Sequence, residues 1–112
     1  MLNEDRTRLL HMLDASRRAL DFVRDKSRED MESDDLLSFA VVRALEIIGE
    51  AARQVSQDFK NKYPDIEWNE IAATRNRLIH GYFDVDHDIV WTILTKDLPP
   101  LILELEKILG KK

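Results

Sequence analysis

Three side chains within TRNRLIHGYFDVD, residues 74–86, stand where chemistry could be done: Arg75, His80 and Tyr82. Arginine offers a planar fork of donors suited to phosphate or carboxylate. Histidine can carry a proton near neutral pH. The segment has helical apolar spacing, and at about 100° per residue Ile71, Leu78 and Tyr82 share a narrow arc that also contains Arg75. A guanidinium on such an inward stripe cannot be left dry and unpaired. It must meet a carboxylate, with Glu46 or Glu50 as candidates, or else a phosphate or water at a cleft. His80 lies about 140° around and about 7.5 Å along an ideal helix from Arg75, so the two side chains diverge. They converge only if Gly81 ends the helix and frees the histidine, or if a second copy of the motif faces the first. Read alone, Arg75 is a structural ion pair, His80 a cap for the last helical carbonyls, and Tyr82 a packing residue.

The elements that must position these residues are helical. Only three glycines and three prolines interrupt the chain, and no β-branched alternation is sustained. Leu2, Leu9, Leu13, Ser16, Leu20 and Val23 form the stripe of a first helix with Asn3 as its cap, ended by the polar run DKSREDMESDD. Ser33 or Asp34 caps a second helix that runs to about Phe59, with the stripe Leu37, Val41, Ala44, Ile48, Ala51, Ala52, Val55 and Phe59. Phe39, Val42 and Ile47 widen its apolar arc, as expected of a helix at the centre of a bundle or between two chains. Gly49 costs about 1 kcal/mol against alanine in mid-helix, which points to close approach by another backbone. KNKYPDIE is a loop. A third helix is expected from Trp68 to His80, stopped by Gly81. A fourth starts at Asp84 or Asp86, and Pro99-Pro100 must break or kink the helical path at its end. LILELEKIL forms the last amphipathic helix. The expectation is a single all-α domain over residues 1–112, an antiparallel bundle of about five helices.

Bulk properties narrow the function. The chain has 112 residues, long enough to bury roughly two-thirds of its unfolded surface. The absence of cysteine removes disulfides and thiolate metal sites and suits a reducing cytosol. No secretory h-region and no apolar run of about 20 residues is present, so a cytoplasmic protein is expected. The net charge of −5 argues against general duplex-DNA binding, though not against brief contact with RNA at a small basic site.

The run Arg75, Asn76, Arg77, Leu78, Ile79, His80, Gly81, Tyr82 resembles the Arg-Asn-x-x-x-His-x-Tyr signature of the HEPN superfamily. VVRALEIIGEAARQVS on the second helix and YPDIEWNEIAATRNRLIHGYFDVDHDIVW resemble HepT-like toxins, and the likeness covers about residues 1 to 110. The resemblance implies a HEPN-like homodimer with the two motifs facing a shared cleft. It implies a metal-independent endoribonuclease, the toxin of a toxin–antitoxin pair, with RNA as substrate. Its partner would be a minimal, MntA-like nucleotidyltransferase antitoxin that transfers AMP to Tyr82. Arg75 and His80 would be catalytic, Asn76 would orient or polarise the site, and no cofactor or metal is implied. The residue chemistry agrees. Cleavage without metal needs proton transfer at the 2′-hydroxyl and 5′-oxygen and a stabilised phosphorane, and a two-fold dimer supplies two imidazoles. The rival expectation is a catalytically silent helical dimer that binds a nucleotide or a partner.

Other candidates read more simply as structure. DVDHD, residues 84–88, is an N-cap and first turn rather than a metal site. His11 lies opposite the apolar stripe and is expected at the surface. Trp68 and Trp91 could stack bases but more simply pack beside helical stripes.

Overall fold

The structure, a computed structural model, describes residues 2–80 and 84–110, with only the backbone of His80. Among the described residues it is all-α apart from one minimal antiparallel strand pair. Helices α1 (Asn3–Phe22), α2 (Arg28–Ser33), α3 (Asp35–Gln54), α4 (Gln57–Lys62), α5 (Trp68–Ala72) and α6 (Thr74–Leu78) come first. Strands β1 (Ile79–His80) and β2 (Asp84–Val85) follow, then α7 (His87–Thr92), a π-helical turn (Ile93–Asp97) and α8 (Leu98–Leu109).

The central pair is α1 against α3. Leu9, Met12, Leu13 and Ser16 of α1, with Val41, Leu45, Ile48 and Ala52 of α3, are almost completely buried. The Asp5 carboxylate, near the start of α1, accepts from the Ser56 amide and hydroxyl just past the end of α3, so the two helices run antiparallel. Toward the other end of α1, Arg17 pairs with Glu106 of α8 at 2.7 Å. Leu98, Leu101, Leu105 and Leu109 of α8 complete the core.

Several boundaries depart from the sequence reading, each for a local reason. Leu2 is exposed rather than part of the apolar stripe, and it occupies the cap position of α1, with Asn3 the first helical residue. Inside the polar run after α1, a reciprocal capping box between Ser27 and Asp30 starts α2, whose Met31 reaches the core. The expected second helix ends at Gln54, not Phe59. The Ser56 hydroxyl accepts from the Phe59 amide and starts α4, while Asp5 holds Ser56 in place. Asp34 caps α3 as expected, accepting from the Leu37 amide.

The largest correction concerns the expected helix from Trp68 to His80. It is broken at Ala73 and ends at Leu78. At the break the Thr74 hydroxyl donates to the Ile71 carbonyl, and Arg53 donates to the Ala72 carbonyl at 3.0 Å. At the end, the Leu78 carbonyl accepts from the Asp86 amide at 2.8 Å. Ile79 and His80 then pair with Val85 and Asp84 in the antiparallel strand pair. Gly81 lies outside the described residues, and the helix has stopped before reaching it.

The Pro99-Pro100 pair does not break the last helix. The prolines sit in the first turn of α8, and the preceding π-helical turn carries the helical path from α7 into it. A proline near the start of a helical segment lacks a donor that has no essential partner there.

Candidate active site

The site begins with Gly49. A Cβ built there would stand 2.9 Å from the Ile71 carbonyl oxygen and 3.6 Å from the Thr74 Cβ. Only a residue without a side chain lets the α5–α6 break lie directly on α3, as the mid-helix glycine implied. Around this contact positions 46, 49, 50 and 53 of α3 share one face, by their three- and four-residue spacing. Glu46, Gly49, Glu50 and Arg53 of α3, with Ala72 and Arg75 of the opposing chain segment, line a pocket of about 330 Å³.

Arg75 sits at the edge of this pocket. Its Nε donates to the Glu46 carboxylate at 3.1 Å, with the arginine side chain 67% and the glutamate side chain 20% exposed. The expected inward position is therefore corrected: Arg75 is on an exposed face, while Leu78 is fully buried and Ile71 half-buried. The break at Ala73 interrupts the helical phase, so Ile71 and Arg75 no longer share one wheel. The carboxylate anticipated for Arg75 is Glu46. Glu50 instead lies 3.5 Å from Arg43.

Asn76 is exposed beside Arg75. Arg77 faces elsewhere, at the rim of a separate pocket of about 240 Å³ between α3, α5 and the π-helical turn. His80 follows the end of α6 in extended backbone, so the expected helical divergence of about 140° from Arg75 does not apply. Nothing is described of its side chain, and Tyr82 lies outside the described residues.

The weaker candidates resolve into structure. Asp86 caps α7, accepting from the Asp88 and Ile89 amides at 3.0 and 3.1 Å. His87 Nε2 meets the Ser38 hydroxyl at 3.1 Å, and Asp88 pairs with Arg28, so α7 is tied to α3 and α2. Trp68 is buried, packs edge-on to Phe59 and donates to the Tyr63 carbonyl. Trp91 is half-buried against the core, and His11 is exposed. Among the described residues no group of three acidic or histidine side chains is placed to hold a metal ion. No helix there is long and apolar enough to cross a membrane.

Among the contacts that escape the sequence reading, two bear on the site and its surroundings, Arg53 on the Ala72 carbonyl and Ser38 on His87. The spacing of Glu46, Gly49, Glu50 and Arg53 on one helical face is the available signal for the first. No local pattern marks the second, which joins residues 49 positions apart.

A family model described as ribonuclease HepT-like matches residues 12–108. The chain belongs to this HepT-like family. A probable ribonuclease HepT from Thermococcus cleftensis is 44% identical over 88 residues, 79% of this chain and 80% of its own. A protein named as a candidate RNase from Methanocaldococcus jannaschii is 37% identical over 98 residues, 88% of this chain and 90% of its own. Another so named, from Caldanaerobacter subterraneus, is 38% identical over 104 residues, 93% of each chain. No solved structure gives a significant match. The matched span of the HepT-like model includes the whole of α3, the α5–α6 break and the Arg75-to-Tyr82 motif.

Proposed function

We propose that this chain is a metal-independent endoribonuclease, the toxin of a toxin–antitoxin pair, acting through Arg75, Asn76 and His80. The observation that carries the reading is the placement of Arg75. Its guanidinium is exposed at the edge of a polar pocket, in a chain whose family is described as ribonuclease. In this role Arg75 meets the scissile phosphate and holds the charge that grows on the phosphorane. His80 moves the proton at the 2′-hydroxyl or the leaving 5′-oxygen. Asn76, beside Arg75, orients or polarises the phosphate.

A homodimer completes the site, because base and acid work in one reaction calls for two imidazoles. The outward face of α3 supports such an assembly. Leu36 is 80% and Phe39 64% exposed, and they lie on the same helical stripe as Arg43, Glu46 and Glu50. The apolar face thus leads directly into the Arg75 pocket. Val42, by contrast, is buried in the chain's own core and Ile47 is half-buried, so the free face is narrower than the sequence arc.

Control is assigned to Tyr82, as the acceptor of AMP from a minimal nucleotidyltransferase antitoxin in the cytoplasm. The rival reading, a silent helical dimer, draws on the Arg75–Glu46 pair, since an arginine already matched to a carboxylate needs no substrate. One experiment separates the two. Purified chain is incubated with single-stranded RNA in EDTA and the termini are mapped. Cleavage leaving 2′,3′-cyclic phosphate supports the ribonuclease. Intact RNA under all conditions supports the silent dimer.

A further inference from the structure

We propose that Glu46 is the positioning residue for Arg75, holding the guanidinium by its Nε edge and leaving the Nη groups to grip a phosphate. This deepens the proposed function and rests on its reading of Arg75 as the phosphate-binding arginine.

Among the described residues, the Nε–H bond to Glu46 is the one hydrogen bond that the Arg75 side chain makes. A fork–fork pair would use two guanidinium donors on one carboxylate and leave less of the group for substrate. Here the contact is made from one edge. The opposite edge, with the two terminal nitrogens, is the part that can meet two phosphate oxygens at once.

The supports on either side are unequal in a useful way. Glu46 is mostly buried and rises from the long helix α3, whereas Arg75 is mostly exposed on the five-residue helix α6. A long, exposed arginine would otherwise sample many rotamers, and each would have to be given up when substrate binds. One turn along α3 from Glu46, Gly49 seats the backbone that leads into α6, and Arg53 pins the Ala72 carbonyl. Glu46 therefore fixes the end of the side chain while Gly49 and Arg53 fix its root.

Stability alone explains little of this pair. An ion pair with one partner two-thirds exposed contributes weakly to folding. Glu46 also keeps a negative charge beside a site that must admit phosphate, which is a cost to binding unless the orientation of Arg75 offsets it.

The test compares kcat and KM on a single-stranded RNA for wild type, Glu46→Ala, Glu46→Gln and Arg75→Ala. Glu106→Ala, which breaks the Arg17–Glu106 pair away from the pocket, is the control for loss of an interhelical ion pair. Glu46→Ala is expected to lower kcat by at least about tenfold, as misorientation of a charge-stabilising group does. Glu46→Gln, whose amide oxygen still accepts from Nε, is expected to stay within about threefold of wild-type kcat, with KM unchanged or lower because a negative charge is gone. Glu106→Ala is expected to keep wild-type kcat. In wild type and Glu46→Gln the Arg75 Nε–H signal in nitrogen–proton NMR is expected at a hydrogen-bonded position that Glu46→Ala loses.

Wild-type kcat in Glu46→Ala, beside an inactive Arg75→Ala, overturns the role of Glu46 and leaves the ribonuclease reading standing. Equal loss in Glu46→Gln and Glu46→Ala also overturns it, because the acceptor is then not what matters. Wild-type kcat in Arg75→Ala overturns the assignment of Arg75 itself. If Glu46→Ala does not fold, Glu46→Asp takes its place: the shorter side chain is expected to lower kcat, and wild-type kcat in it overturns the proposal.

Discussion

Gly49 of α3 and Ile71 of α5 meet so closely that a methyl group on the first would stand 2.9 Å from the carbonyl oxygen of the second. An alanine in mid-helix normally gains about 1 kcal/mol over glycine. Here the obstructing atom is backbone, so α5–α6 must move, and overpacking of this kind costs about 1–3 kcal/mol. Gly49→Ala is therefore expected to give no stabilisation and to lower the urea midpoint. It is also expected to cut RNA cleavage, since the shifted segment carries Arg75. A higher midpoint with unchanged cleavage would contradict the close contact.

That contact also marks how much of the molecule is legible in its sequence. A glycine amid ALEIIGEAA can hardly have a purpose inside α3 itself, so a partner backbone can be inferred from the residues alone. The core stripe of α3, the Asp34 and Asp86 caps, the packing of Trp68 and the exposure of His11 are readable for similar reasons, because each depends on neighbours within a few turns. The break at Ala73 is not. It depends on Arg53 and Gly49, about twenty residues away, and the apolar spacing continues across it. Likewise Leu78 ends α6 through the Asp86 amide, a bond no periodicity announces. Residue type and spacing single out Arg75 and His80, but the inward face expected of Arg75 fails for want of these distant contacts.

Asp5 is almost fully buried and accepts two hydrogen bonds from Ser56, at 2.8 and 2.7 Å. Burial pushes its carboxyl up, but the Ser56 hydroxyl and amide, together with nearby positive charge such as that of Lys60, hold it below its ordinary value of 3.8. The folded state thus favours the charged form. This contribution is present above pH 3.8 and is lost as pH falls through the lower folded value. Asp5→Ala is expected to destabilise by about 2 kcal/mol at neutral pH, leaving the Ser56 amide without its acceptor. Asp5→Asn is expected to flatten the acid limb of the stability curve. Chemical denaturation across pH 3–7 checks both, and an unchanged acid limb in Asp5→Asn would count against the assignment.

The exposed Leu36 and Phe39 predict where a dimer forms. Light scattering at micromolar concentration should return twice the chain mass of 13.1 kDa. Phe39→Asp should shift the population to monomer with little change in helical content, because the side chain is outside the core, and should reduce cleavage in parallel. A wild-type monomer that still cleaves RNA would remove the need for a shared cleft.

Tyr82 stands two residues beyond His80 in the chain. An AMP group on its hydroxyl would bring bulk and negative charge to a cleft that must admit an RNA phosphate, and its phosphate could occupy Arg75. With the nucleotidyltransferase partner and ATP, the wild-type mass is expected to rise by whole AMP units while cleavage stops. Tyr82→Phe is expected to keep cleaving and to escape the modification. A phenylalanine variant modified and silenced as readily as wild type would place the switch elsewhere.

The central claim, that Arg75 and His80 perform the cleavage, is met most directly by initial rates on one labelled single-stranded RNA in EDTA. Wild type, Arg75→Ala and His80→Ala would be compared, each shown folded by circular dichroism. Loss of a charge stabiliser or a proton carrier should slow the reaction at least about a hundredfold in each variant. Wild-type rates in either folded variant, or a wild-type reaction abolished by EDTA, would contradict it.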